Sequence, residues 1–496
     1  MLGIPLLLQM AASVDPSREI LVCDELRWTT VELDNLSARA NTVLTRHRAA
    51  CIAYIGLGGA MLPLLMFGAA RAGLTFAPLN YRLSPAALLE LISRLPEPLV
   101  VVDPEYRAVI GDTYPVLDTE EFMAAVAGAE PAEDTPTEAG DTAVLLFTSG
   151  TTSRPKAVEL SHGNLVSYVT GTVEFLSAAP DDAALIAVPP YHIAGVSAAC
   201  SNLYAGRRMV YLPRFDARRW IQLVADEAIT TATVVPTMLE RIVSALEDDP
   251  QPLPALRNLA YGGAKVAQPL VRRALELLPE VGFVNAYGLT ETSSTIAALT
   301  PEDHRRAHGS SDPAAARRLG SVGRPVPGVE ITIRAEDGRT LGPGEIGELF
   351  VRGDQVSGRY AESGSALDDD GWFATRDRAT VDDDGYLFVL GRADDTIIRG
   401  GENIAPAELE DVLVEHPAVR QAAVVGADDP EWGQIIVAVI VAAPGGQPDP
   451  DELRTFVRQR LRGSRTPDRV VFFDQLPTTA TGKVVRREIL ARLQAC

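Results

Sequence analysis

"LLFTSGTTSRPKAVELSHGNL" (residues 145–165) sets two apolar runs around a loop of Thr148, Ser149, Gly150, Thr151 and Thr152, followed by Lys156. The runs "TAVLLF" and "AVEL" have the length of buried strands. Ser161 stands where it can cap a helix through "HGNLVSYVTGTVEFL". The loop has two readings. Its hydroxyls, N–H groups and lysine could wrap a polyphosphate; they could equally form a polar turn. A Walker loop is disfavoured, because it needs G-x-x-x-x-G-K-[ST] between a strand and a helix. "SGTTSRPK" has neither that spacing nor a helix directly after the lysine, and "TGKVV" (481–485) puts Val484 where Ser or Thr is required.

Outward from this loop the chain alternates strand and helix patterns. "CIAYIGLGGAMLPLLMFGAARAG" reads as strand, glycine turn and helix, and "EPLVVVD" as a buried strand. "TATVVPTMLERIVSALE" and "NLAYGGAKVAQPLVRRALELL" repeat the alternation, giving an α/β chain with partly parallel sheets. "AEPAEDTPTEAGD" (129–141) reads as an exposed linker, and "HRRAHGSSDPAAARRLGS" (304–321) as a mobile surface loop. From "GVEITIRAEDGRTLGPGEIGELFVRG" onward the period becomes two, as in a β-rich subdomain. After "DGYLFVLGRADD" comes a helix–strand–strand–helix pattern of domain size, so a boundary is expected near Asp394.

The totals narrow the function. At 496 residues more than one core is expected. A net charge of -21 disfavours nucleic acid or an anionic membrane as partner, so any phosphate ligand must be met by local cations and N–H groups. The four cysteines are scattered without a CxxC, which fits a reducing cytoplasm and neither zinc nor a disulfide framework. The apolar N-terminus lacks a basic flank and reads as a docked first helix rather than a targeting segment. No stretch has the unbroken apolar length of a membrane span.

Further chemistry follows in order. "NAYGLTE" offers Tyr287, Gly288, Thr290 and Glu291 at a strand end: an aromatic to stack on a base, a hydroxyl for a phosphate, and a carboxylate for Mg²⁺. "GWFATRD" offers Asp377 for ribose hydroxyls. "GRADDTIIRGGENI" offers Arg392, and "TTATGKVV" offers Lys483. Each alone could be a turn residue or a solvated charge; together and in this order they are hard to attribute to chance.

The series "TSGTTSRPKAV", "YGLTE", "WFATRD", "GRADDTIIRGGENI" and "TATGK" resembles the signature motifs of the adenylate-forming superfamily, over nearly the whole chain. That resemblance implies a multi-layer N-terminal domain ending in a β-subdomain (1–393), and a small α+β C-terminal domain (394–496) turning on a hinge at Asp394. It implies an ATP-dependent acyl-CoA ligase that forms an acyl-adenylate and then a thioester, with ATP, Mg²⁺ and coenzyme A as cofactor and co-substrates. By similarity, residues 148–152 and Lys156 form the phosphate loop. Thr290 meets phosphate, and Glu291 with Thr148 holds Mg²⁺. Tyr287 and the backbone at Gly262, Gly263 and Ala264 flank adenine, and Asp377 and Arg392 grip ribose. Lys483 bridges carboxylate and ATP, as a point charge can. In the second step the "RGGEN" segment with Gly400 and Gly401 replaces it, giving the pantetheine arm close backbone approach. His192 in "PPYHIAG" matches a gating histidine, and Trp432 a residue that stacks on CoA adenine.

The chain departs from the pattern in places. Ser153 and Ala157 stand where glycines are usual, and Arg376 replaces the glycine of Thr-Gly-Asp, crowding the ribose site. "LRGSRTP" leaves Arg465 and Arg469 to meet CoA phosphates. Small and apolar residues around His192, Gly262 and Leu289 favour an uncharged acid, fatty or aromatic. The alternatives are an enzyme loading a carrier protein and a non-catalytic binding protein on the same fold. A homodimer is compatible with any of them.

Overall fold

The computed structural model describes residues 3–494, apart from 112, 149–153, 400–401, 431, 447, 462 and 480–481, and without the side chain of Asn403. Among these residues two large sheets carry the N-terminal part. In the first, the strands Gly282–Leu289, Asn258–Gly262, Thr231–Val234, Ala183–Ile186, Arg208–Tyr211 and Glu19–Cys23 run parallel, in that order. Antiparallel strands close both edges, Ser294–Leu299 and then Arg324–Pro325 on one side and Leu26–Thr29 on the other. In the second sheet the parallel strands Thr142–Thr148, Thr75–Pro78, Cys51–Ile55, Pro98–Val102 and Val116–Asp118 are neighbours. Lys156–Ser161 returns antiparallel beside the first of them.

Parallel strands need cover on both faces, and the helices supply it. One hydrophobic core joins strand residues of both sheets, such as Leu185, Ile52 and Tyr54, with the helices between them. Helix Met61–Arg71 is buried over Leu62–Arg71, as a helix apolar on nearly all sides must be. Helix Pro5–Val14 docks on the same core, as expected of the N-terminus. The expected capping by Ser161 is present: its hydroxyl accepts from Asn164 N–H, and Asn164 answers to the Ser161 N–H.

Two sequence expectations are revised. Residues 304–321 are not a loose loop; they continue helix Pro301–His308 and then form helix Pro313–Arg317, each started by proline behind a capping side chain. The 129–141 segment is mostly exposed but fastened. Its Asp134 pairs with the buried Arg71, and Asn41 and Thr42 donate to the carbonyls of Glu133 and Glu130.

The β-subdomain is an antiparallel sheet of Glu330–Arg334, Gly347–Arg352, Phe373–Val381 and Leu387–Arg392. The C-terminal part builds its own sheet on the long pair Val419–Asp429 and Gly433–Ala442, covered by helices Pro406–Val414 and Pro450–Arg460 on one face and Arg486–Gln494 on the other. Every hydrophobic cluster among the described residues lies wholly before or wholly after Asp394.

Candidate active site

The site is built where the parallel strands of the first sheet end, the place open α/β sheets offer to ligands. Strand Gly282–Leu289 brings Tyr287 there and turns back at Thr290–Thr292. The turn is tight: a Cβ on Gly288 would stand 1.7 Å from the Ser294 carbonyl oxygen, so only glycine fits. Gly262 is under the same constraint, with Ala286 O at 2.2 Å from its virtual Cβ. Both glycines, of which Gly262 is the one expected at the adenine, are therefore required by the packing of strand on strand.

Tyr287 and Asp377 meet directly. The Tyr287 hydroxyl donates to Asp377 Oδ2 at 2.5 Å, and Arg392 Nε lies 3.1 Å from Oδ1. Arg392 also donates to the Thr375 carbonyl at 2.7 Å. Asp377 is 5% exposed. Burial pushes its carboxyl pKa up, against the pull of Arg392 and the Tyr287 hydrogen bond. Burial and the same carboxylate push the Tyr287 hydroxyl far above its ordinary range. Each Asp377 oxygen keeps a second lone pair, which is what ribose hydroxyls need.

Glu291 is held by residues that sequence reading did not single out. Its carbonyl accepts from the N–H groups of Ser357 and Gly358, and Tyr360 donates its hydroxyl to Oε1 at 3.0 Å. Gln355 donates to the carbonyls of Thr292 and Thr295, locking the turn. The segment 355–360 thus fixes Glu291, and it also leans on the strand that follows the phosphate loop: Arg359 pairs with Glu159 at 2.7 Å. The Lys156 ammonium lies 5.1 Å from the Tyr360 ring centre, a cation–π contact that aims the charge at the same place. No spacing in "QVSGRY" signals this: Arg359–Tyr360 joins the second large sheet beside Lys156–Ser161, and its partners lie far away in the chain.

Lys483 arrives from the C-terminal domain. It retains solvent access, yet desolvation within the cleft and the nearby Arg392 lower its pKa, while Asp377 and Asp395 raise it. Its loop rests on the N-terminal domain: a Cβ on Gly482 would be 2.8 Å from Thr237 Cγ2. A second contact between the two parts is the ion pair Lys265–Asp411 at 2.6 Å.

His192 caps helix Ile193–Ala205 and stacks beside Tyr191, ring centres 4.7 Å apart. Burial, helped by the Arg82 charge, brings its pKa down to about 4, so the ring is neutral at ordinary pH. Its Nε2 is buried without a hydrogen-bond partner among the described residues, which suits a group facing a ligand cavity. Arg82 lies 5.5 Å from the Tyr81 ring and was not singled out from sequence.

Ser149, Gly150, Thr151, Thr152, Gly400 and Gly401 fall outside the described residues. Thr148 ends its strand beside Lys156, to whose carbonyl its hydroxyl points at 3.5 Å. Thr290 opens the turn that carries Glu291, and Gly263 and Ala264 directly follow strand Asn258–Gly262. Trp432 is half exposed, with one ring face covered by the Arg399 guanidinium at 4.8 Å. Arg465 is committed to Glu402 and Glu408, at 2.7 and 2.6 Å, rather than left free for a phosphate; Arg469 is exposed. Arg376 does not turn into the ribose site: its side chain is 69% exposed, and its Nε lies 3.9 Å from Glu348 Oε1. Its φ is +63°, the left-handed region that costs an L-residue about 1–2 kcal/mol.

For Mg²⁺ the donors are modest. The described residues hold no cluster of three acidic, histidine or cysteine side chains. Glu291 keeps Oε2 available, and one carboxylate plus substrate phosphates is the usual Mg²⁺ arrangement.

A model of the AMP-binding enzyme family matches residues 8–361, and that of the AMP-binding enzyme C-terminal domain matches 408–483. The chain is 33% identical over 510 aligned residues to fatty acid–[acyl-carrier-protein] ligase ScoC of Streptomyces coeruleorubidus, covering 97% of this chain and 94% of that one. It is 34% identical to feruloyl-CoA synthase of an Amycolatopsis species, over 89% and 88% of the two chains. The solved structure of o-succinylbenzoate CoA synthetase (MenE) from Bacillus subtilis, in complex with an acyl-adenylate intermediate, matches with a TM-score of 0.84 and 30% identity over 97% of both chains. Motifs, fold and cleft agree with these likenesses: the chain belongs to the AMP-binding enzyme family, the adenylate-forming ligases.

Proposed function

We propose that the protein is an ATP-dependent acyl-CoA ligase acting on an uncharged carboxylic acid, fatty or aromatic. The observation that carries this reading is the Tyr287–Asp377–Arg392 group, together with Glu291 held by Tyr360 beside Lys156, with the Lys483 loop resting on the N-terminal part at Thr237. In the first half-reaction the substrate carboxylate oxygen attacks the α-phosphorus of ATP; the bond to the β-phosphate oxygen breaks and pyrophosphate leaves. Asp377 and Arg392 fix the ribose, Tyr287 borders the base, Lys156 offsets the charge of the leaving pyrophosphate, and Thr290 donates a hydrogen bond to phosphate. Lys483 holds the attacking carboxylate against the α-phosphate, placing positive charge where negative charge develops. Mg²⁺, when held by Glu291 and Thr148, adds charge neutralisation at the phosphates.

In the second half-reaction a thiolate attacks the acyl carbonyl and AMP leaves. Asp394 is exposed, no hydrophobic cluster among the described residues bridges it, and neighbouring Asp395 is tied to Arg486 within the C-terminal part. We therefore place the division into residues 1–393 and 394–496 there, with rotation at Asp394 withdrawing Lys483 and presenting the 399–403 segment and Trp432. The neutral His192 lines the acyl and thiol approach. A cytoplasmic setting is proposed for the free Cys23, Cys51 and Cys200; no helix among the described residues is long and apolar enough to cross a membrane.

The likeness to an acyl-carrier-protein ligase supports a second reading, in which the thiol is the phosphopantetheine of a carrier protein. One experiment separates them. Pyrophosphate release is measured with a panel of fatty and aromatic acids, alone, with CoA, and with a holo carrier protein. Acid-dependent release with a CoA thioester product is expected. A thioester formed only on the carrier selects the second reading, and no release with any acid removes both.

A further inference from the structure

Strand Phe373–Val381 carries a bulge beside the nucleotide cleft. Its pairing with Gly347–Arg352 jumps from Phe350↔Ala374 to Glu348↔Arg378, so residues 375–377 stand against Leu349 alone. The flanking members have tasks inside the fold. Thr375 donates its hydroxyl to the Leu349 carbonyl at 2.8 Å and accepts from Asp377 N–H at 3.1 Å, and the Asp377 carboxylate is held by Tyr287 and Arg392. Arg376, between them, sits at φ +63°, where glycine is the undemanding choice. What the fold returns for the arginine is one long ion pair, to Glu348 Oε1, an atom that is itself buried without a hydrogen-bond partner among the described residues. No hydrogen bond of its guanidinium is found among the described residues, its nearest carboxylate oxygen is 3.9 Å away, and the side chain is largely in solvent.

A strained residue kept for a single long ion pair points to a ligand, and its position says which chemistry. Arg376 is covalently next to Asp377, and its charge is felt at the Tyr360 hydroxyl, which donates to Glu291. The other cations of the cleft have other tasks: Arg392 is paired with Asp377, Lys156 lies over Tyr360, and Lys483 is assigned to the attacking carboxylate and the α-phosphate. With a net charge of -21 over the chain, a polyphosphate approaches against an adverse field unless a local cation offsets it. We propose, on the reading of this cleft as the nucleotide site, that Arg376 is a phosphate-binding residue of its mouth, engaging a phosphate group of ATP or of CoA. A guanidinium suits that task through its fork of N–H donors.

The test is equilibrium binding of MgATP, AMP and CoA to the full-length wild type and to Arg376→Gly, Arg376→Asn and Arg376→Lys, by titration calorimetry, with a thermal melt of each. Glycine and asparagine both accept the left-handed backbone and both lack the charge. They are expected to melt about 1–3 °C higher than wild type, and to bind one phosphate ligand roughly tenfold more weakly. The lysine variant is expected to stay within about threefold, and the differences to shrink as salt is raised, because the side chain is exposed. A loss for ATP but not AMP assigns the contact to the β- and γ-phosphates, a loss for both to the α-phosphate, and a loss for CoA alone to the CoA phosphates. Any of these supports the proposal. Wild-type affinity of the glycine and asparagine variants for all three ligands overturns it. Failure of the wild type itself to bind either ATP or CoA overturns the nucleotide-site reading and the proposal with it.

Discussion

The floor of the nucleotide cleft and the lysine that completes it are held in opposite ways. Tyr287 is joined to Asp377 by a short hydrogen bond and Arg392 to Asp377 by an ion pair, around a buried carboxylate and on strands belonging to continuous sheets. Lys483 comes on a loop of a domain with its own two hydrophobic clusters, neither including a residue of the N-terminal part. Polar contacts such as Lys265–Asp411, with both side chains about 40% exposed (41% and 43%), join the parts instead. Exposed pairs of this kind contribute about 0–1 kcal/mol, whereas a buried polar group stripped of its partner costs about 1–3 kcal/mol. The contrast teaches a division of labour. On the proposed function, the groups assigned to hold the nucleotide through both half-reactions are fixed around a buried carboxylate, and the group assigned to the first alone is attached by contacts weak enough to break.

Three measurements would break or sharpen this contrast. The largest effect is expected from Lys483→Ala, with acid-dependent pyrophosphate release falling about 10²–10³-fold. Thioester formation from supplied acyl-adenylate should stay near wild type; equal loss in both half-reactions would remove the idea of a lysine that serves one step and withdraws. Next comes Tyr287→Phe. Taking the hydrogen bond from the buried Asp377 should lower stability by about 1–2 kcal/mol in denaturant unfolding and weaken ATP binding in parallel. An unchanged unfolding curve would mean that the floor is not the rigid element described. The smallest effect is expected from Lys265→Ala: stability within about 0.5 kcal/mol of wild type, but a shift in the distance distribution between probes on the two domains. A stability loss comparable with that of Tyr287→Phe would show that the domains are fused rather than docked.

The cleft was legible in part. The order of motifs from Thr148 to Lys483 was readable because each motif is contiguous and its residue types match the chemistry. The strands around the phosphate loop, the Ser161 cap and the helix–strand–strand–helix pattern of the C-terminal part were readable because propensity and periodicity act over a few residues. Short helices in 304–321 were missed, since proline, serine and aspartate serve turns and helix starts alike. Tyr360 and Gln355 were invisible for a different reason: their partners, Glu291 and the turn at Thr292, lie more than sixty residues away.

By itself the sequence determined the α/β class, the family motifs, the negative field that any phosphate ligand must overcome, and the charged residues available to meet it. Only the tertiary structure decided how those groups are used. It joined Tyr287 to Asp377, committed Arg465 to two glutamates, depressed the His192 pKa by burial, and gave Arg376 a backbone made for glycine. The physical reason is one of range. Propensity, capping and pattern are local, whereas desolvation, ion pairing and backbone strain depend on which distant segments the fold brings together.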